Sequence, residues 1–189
     1  MAEKIRCWEG PPIYTAYHDH EWGRPEHNDQ KLYEMLILEG MQAGLSWLTV
    51  LNKREAFREA FDGFDPEKVA LYDEKKTEAL MANAGIIRNR LKIQAAVTNA
   101  KKFLEIQKQY GSFDKFIWNY VDNKPIQGHK ENEGWVATTP VSDKISKDLK
   151  KLGFKFVGST IIYSFMQAVG MVNDHFPNCC VHDEVAKLG

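Results

Sequence analysis

Three groups of residues have types and spacings that could do chemistry. Along Leu32, Met35, Leu36 and Glu39 a helical spacing runs apolar until it ends in a carboxylate. Burying that carboxylate without compensation is costly, so it calls for a donor, a cation or a ligand. Trp8, Tyr14, Tyr17, Trp22 and Trp47 crowd the same first quarter of the chain. Aromatic faces beside a carboxylate suit a flat, electron-poor or cationic ring. Taken singly, the aromatics also read as plain core, and Glu39 as a half-exposed residue ahead of Gly40.

The second group is Cys7 and His18 near the start with His175 and Cys179 near the end. Two thiolates and two imidazoles make a closed tetrahedral set for structural Zn2+. The spacing leaves this open: no tight Cys-x-x-Cys pair exists, and His20, Cys180 and His182 compete as ligands. The vicinal Cys179 and Cys180 also suit redox chemistry or simple burial.

The third group is the turn Gly153-Phe-Lys-Phe-Val-Gly158, followed by Ser159 and Thr160. Glycine allows close backbone approach, Lys155 adds charge, and a helix beginning after Gly158 offers unpaired N–H groups to an anion. Gly153, Lys155, Gly158 and Ser159 therefore form a candidate phosphate grip that reads backbone rather than base sequence. An ordinary corner between two helices has the same pattern. Gly44-Leu45-Ser46 makes another break, whose tip leucine could wedge into a base stack or pack into the core.

Helices must position these groups. Asn28 or Asp29 caps a helix over about 30–40, Ser46 one over 47–61, and Asp65-Pro66 opens a short one toward Tyr72. Further helices span 74–83, 88–109 ending at Gly111, and a short stretch from Ser112. Ser142 caps a helix ending at Gly153, and Ser159 or Thr160 caps another ending near Gly170. Residues 121–140 read as a surface loop in which Trp135 alone asks for burial. The fold class is all-α.

The chain has 189 residues, 43% hydrophobic and 27% charged, with three cysteines. One domain is the natural count. No apolar run approaches the ~20 residues of a membrane span, the start lacks a secretory core, and three cysteines make no disulfide framework. A cytoplasmic, monomeric protein is expected. Net charge is −1, but residues 85–102 carry five positive charges and no acid, and residues 144–155 carry five lysines against Asp148. Such asymmetry suits a polyanion on one face.

The strings Ala16-Tyr-His-Asp-His-Glu-Trp-Gly23, Leu38-Glu-Gly-Met-Gln-Ala-Gly-Leu-Ser-Trp47, Ala84-Gly-Ile-Ile-Arg88, Gly153 to Gly158 and Tyr163-Ser-Phe-Met-Gln-Ala168 resemble the bacterial 3-methyladenine DNA glycosylase I family, from about Cys7 to Cys180. The resemblance implies a helix-hairpin-helix fold of two helical lobes, with the hairpin unit at about 142–170. It also implies structural zinc on Cys7, His18, His175 and Cys179, joining terminal regions at about 1–25 and 170–182 of a single catalytic domain, 1–189. Glu39 falls on the family's pocket carboxylate, Tyr17, Trp22 and Trp47 on its stacking aromatics with Trp8 beside them, and Leu45 on its inserting tip. The expected activity is hydrolysis of 3-methyladenine from alkylated double-stranded DNA after base flipping. Ser159 and Thr160 stand where a Schiff-base lysine would, so no strand cleavage is expected. Asp174 ranks below Glu39 as the catalytic carboxylate and is expected to brace a metal ligand or cap a helix. The rival readings are a non-catalytic, zinc-stabilised DNA-binding module and a zinc hydrolase acting on a small molecule. The stretch from Cys7 to His18, residues 121–140 and Phe176-Pro177-Asn178 are where agreement with the family pattern is least expected, and His182 receives no role.

Overall fold

Capping side chains set most of the helix boundaries. Asn28 starts α1's successor cleanly, its Oδ1 accepting from Lys31 N–H, after a first helix α1 (Pro12–His20) that has no side-chain cap. That successor, α2 (Asp29–Gln42), is followed by α3 (Trp47–Ala60) capped by Ser46, α4 (Pro66–Val69) capped by Asp65, and α5 (Glu74–Met81) capped by Asp73. Asn89 caps the long α6 (Arg90–Tyr110), which stops at Gly111 in the left-handed conformation. Ser112 caps α7 (Phe113–Trp118). The computed structural model describes residues 4–128 and 134–189.

The two helices of the hairpin are α8 (Pro140–Lys151) and α9 (Ser159–Ala168), and α10 (His182–Val185) closes the chain. Their starts differ from the sequence expectation. Thr139, not Ser142, caps α8; Ser142 is the third helical residue and returns a hydrogen bond to the Thr139 N–H, completing a capping box. The cap of α9 is Gly158, whose lack of a side chain leaves that helix start without a side-chain hydrogen bond. Thr139→Ala is expected to cost about 1 kcal/mol and to lower Tm by about 2–4 °C in a thermal melt.

The all-α expectation needs one amendment. Residues 121–140 are not wholly loop: β1 (Ile126–Gln127) pairs in parallel with β2 (Val172–Asn173), with Ile126 opposite Val172. A backbone bridge between Ile5 and Cys179 likewise brings the two ends of the chain side by side. Trp135 is 48% exposed rather than buried, its ring against Trp22 and Phe176. Part of that expected loop, 129–133, lies outside the described residues.

The core is continuous from Leu32 of α2 through Phe57, Phe103 and Phe113 to Phe165 of α9, all of them fully buried. Asp29 ties α2 to two other helices, accepting from Gln107 of α6 and from the Phe113 and Asp114 N–H groups that open α7. Among the described residues no helix is long and apolar enough to cross a membrane.

Candidate functional site

Glu39 sits on the third turn of α2, where its neighbours Leu36 and Leu38 are fully buried, and it follows them inward to 4% exposure. It makes no hydrogen bond among the described residues. Burial without a partner penalises the charged form, and pushes the Glu39 carboxyl up to about 8. The side chain is therefore largely neutral at pH 7 and ionises readily only if positive charge arrives.

The space in front of it is a cavity of about 210 Å3. Tyr17 of α1 and Trp47 of α3 line it side by side, their rings tilted by 46° with centroids 5.5 Å apart. Trp8 and Trp22, edge to face with ring centroids 4.8 Å apart, also line it. Burial, and then the Glu39 carboxyl, hold the Tyr17 phenol well above its usual range, so it stays a hydrogen-bond donor. The indole N–H groups of Trp8 and Trp47 are buried without a partner among the described residues. All five predicted pocket residues thus line one cavity. Sequence reasoning gave no site role to Gln42, Ser164 and Gln167, which also line it. Apart from the Tyr163 hydroxyl, Ser164 and Gln167 are the polar side chains of Ile-Ile-Tyr-Ser-Phe-Met-Gln-Ala-Val, three apart on one face of α9, and that spacing was the available signal.

Directly behind the aromatic wall lie Cys7, His18, His175 and Cys179, whose ligand atoms all fall within 4.8 Å of one another. Cys179 Sγ is 3.4 Å from His18 Nε2 and 3.4 Å from His175 Nδ1, and Cys7 Sγ is 3.5 Å from His175 Nδ1. A tetrahedral Zn2+ with ordinary bond lengths requires sulfur–nitrogen edges of about 3.5 Å, so the set fits the ion. The outer ring nitrogens are occupied: His18 Nδ1 by Asp19 at 2.8 Å, itself held by Arg6, and His175 Nε2 by the Trp22 carbonyl at 3.0 Å. That turns the inner nitrogens, His18 Nε2 and His175 Nδ1, toward the sulfurs, with the Cys7 N–H also 3.2 Å from His18 Nε2. His182 and His20 stand outside the group, while Cys180 joins only a second, partly exposed group with His18 and Asp19.

The tip between α2 and α3 turns at Gly44, with φ +78°, and leaves Leu45 39% exposed. In the hairpin, Gly153 adopts φ +94° at the end of α8, and Lys155 is exposed beside it. The Ser159 hydroxyl donates to Asp143 at 2.5 Å and contacts Ser142, so a carboxylate of this chain already occupies it. The basic run 85–102 is also less free than its composition suggests. Arg90 pairs with Glu74 and Glu78, Lys102 pairs with Glu105, and Lys92 points into the protein.

Comparison with known proteins bears on this arrangement. A family model described as methyladenine glycosylase matches residues 7–182. The chain is 52% identical over 172 residues to the DNA-3-methyladenine glycosylase 1 of Escherichia coli (strain K12), covering 90% of this chain and 92% of that protein. The chain belongs to the methyladenine glycosylase family. A crystal structure of a 3-methyladenine DNA glycosylase I matches this family member with a TM-score of 0.89 at 50% identity, over 94% of this chain and 100% of the other. A second, from Staphylococcus aureus, described as giving the structural basis of 3-methyladenine recognition, matches with a TM-score of 0.86 at 40% identity, over 91% and 92% of the two chains.

One further carboxylate in this methyladenine glycosylase competes for attention. Asp174 follows α9 and is 2% exposed, accepting from the Tyr163 hydroxyl at 2.6 Å and the Gln167 amide at 2.7 Å. Asp174 lines a different cavity from Glu39, between β1 and α9. The carboxylate facing the aromatic slot is Glu39.

Proposed function

We propose that this chain excises 3-methyladenine from alkylated double-stranded DNA by hydrolysing the N-glycosidic bond, within a single catalytic unit spanning 1–189. The observation that carries this reading is the Glu39 carboxyl, buried without a partner against an aromatic slot the size of a base. A neutral adenine entering the slot gives the carboxyl no reason to ionise. Alkylation at N3 makes the purine a cation, and the cation offsets the desolvation that otherwise keeps Glu39 protonated. Tyr17, Trp22, Trp47 and Trp8 stack on or enclose the electron-poor ring.

The chemistry needs little beyond that selection. The C1′–N9 bond breaks with its electron pair moving into the cationic purine, which leaves neutral. The deoxyribose becomes oxocarbenium-like, water adds at C1′ and a proton passes to solvent. Glu39, as carboxylate, holds the base by its donor edge and adds negative charge near the sugar. The base reaches the slot by flipping, with Leu45 at the Gly44 turn filling the stack behind it. The hairpin of a helix-hairpin-helix unit at about 142–170 grips phosphates through the backbone around Gly153 and Gly158 and through Lys155. Ser159 and Thr160, and no lysine, follow Gly158, so the reaction stops at the abasic site.

Structural Zn2+ on Cys7, His18, His175 and Cys179 fits the donor geometry and would tie the terminal regions, about 1–25 and 170–182, behind the pocket. When bound it supplies cross-linking and no open coordination position for catalysis. We place the protein, as a monomer, in the reducing interior of the cell.

The test is chromatography of bases freed from methylated duplex DNA. Free 3-methyladenine, an intact strand and no borohydride-trapped adduct are expected. DNA binding without base release would favour the non-catalytic module. Leu45→Gly is expected to slow single-turnover release from duplex about tenfold while leaving affinity for free 3-methyladenine unchanged.

A further inference from the structure

The two loops assigned above to DNA, the Leu45 tip and the hairpin, belong to different parts of the chain, yet both are tied to one face of α6. Lys92 lies on the first turn of that helix. It is 8% exposed, and its ammonium donates to the Met41 carbonyl at 2.9 Å and the Ala43 carbonyl at 2.7 Å. Those carbonyls end α2, where the helix's partial negative charge collects. Ala43 leads straight into Gly44 and Leu45. Within the tip the bonds are local: Leu45 N–H donates to the Gln42 carbonyl at 2.7 Å, and the Gln42 amide donates to the Leu45 carbonyl at 2.5 Å. Lys92 links the base of this small ring to α6.

Seven residues on, about two turns along the same face, Asn99 is 3% exposed. Its amide donates to the Lys155 carbonyl at 2.9 Å, and its Oδ1 accepts from the Lys155 N–H at 2.8 Å. One side chain thus holds both backbone groups of the central hairpin residue. Gly40 of α2 and Phe156 of the hairpin meet between the two anchors, where a Cβ on Gly40 would lie 3.4 Å from Phe156. A buried lysine is expensive and a buried asparagine needs its partners. Both are spent on backbone at the two loops, and the cavity they line beside Gly40 and Phe156 measures only about 10 Å3, too small for a base.

We propose that Lys92 and Asn99 are positioning residues, and that their shared face of α6 sets the separation of wedge and phosphate grip. The duplex is then held and pried apart in one register. This rests on the functional reading above, and it adds that base extraction depends on two side chains that touch neither the base nor the DNA.

The experiment compares Lys92→Met, Asn99→Ala and the double variant of the full chain. It measures single-turnover release of 3-methyladenine from methylated duplex and from methylated single strand, with equilibrium binding of the free base. Each single change removes a buried side chain that makes two hydrogen bonds to one of the loops, and is expected to slow release from duplex about tenfold. Release from single strand and free-base affinity should stay within about twofold, because neither needs the wedge. The double variant should lose about as much as the worse single one, since either change releases the same separation. Lys92→Gln and Asn99→Ser replace any variant that fails to melt cooperatively. Unchanged duplex release would overturn the proposal. So would equal losses on single strand and in free-base binding, which mark a merely structural role. A wild-type chain releasing no base would overturn the functional reading and this one together, and that is read from the wild-type arm alone.

Discussion

Glu39→Gln is expected to slow single-turnover release of 3-methyladenine by about a hundredfold, the value of a hydrogen-bonded charge lost from a buried site. The same substitution should make the protein more stable at alkaline pH. The Glu39 carboxyl is raised to about 8 by burial, above its value in the unfolded chain. The folded state therefore holds this proton more tightly than the unfolded state does. Stability is lost as pH rises from the unfolded value through the folded one. By about pH 8 and above the penalty reaches about 4–5 kcal/mol, and glutamine removes it. Thermal melts should nearly coincide for the two proteins at pH 5 and separate progressively toward pH 9, with the variant higher. A variant that is slower and also less stable at pH 9 would mean that Glu39 is compensated in the resting protein.

Metal removal should have the other large effect. The four donors draw together the segment around Cys7, the end of α1 and the turn Phe176 to Cys179, where Cys179 N–H donates to the Phe176 carbonyl at 2.8 Å. One zinc per chain is expected by metal analysis. A chelator, or Cys179→Ala, should lower Tm by about 10–20 °C through the loss of several kcal/mol of binding free energy. The pocket should loosen with it, because Trp22 hands its carbonyl to His175 and stacks edge-on against that ring at 4.6 Å. Melting unaffected by chelation would reduce the set to a hydrogen-bonded cluster.

Several helix starts were legible in the sequence from their capping residues: Asn28, Ser46, Asp65 and Ser112 each accept a backbone N–H at the start of the helix expected there. α1 was missed because it starts at Pro12 with no side-chain cap, and the α9 start was displaced because Gly158 carries no side chain. Ser142 misled because a capping box uses the same residue types at both ends. Two-residue strands such as β1 and β2 have no period to detect; their pairing is a backbone event between distant segments. Glu39 announced itself by ending an apolar stripe, and the structure buries it as the stripe requires. The metal set was legible only as one candidate, since Cys7 and Cys179 stand at opposite ends of the chain, His20, Cys180 and His182 compete with the four, and only folding joins them. Lys92 was hidden for a different reason: in a basic run, an inward-facing lysine looks like its solvated neighbours.

The central claim is that Glu39 must ionise against a cationic base, and the pH dependence of kcat/KM for base release from alkylated duplex tests it most directly. That parameter reports ionisations of the free enzyme. The account predicts a rise of about tenfold per pH unit below the Glu39 pKa of about 8 and a plateau above it. In Glu39→Gln this dependence should be absent. A wild-type rate that is flat across this range, or that falls as the carboxyl loses its proton, would contradict it.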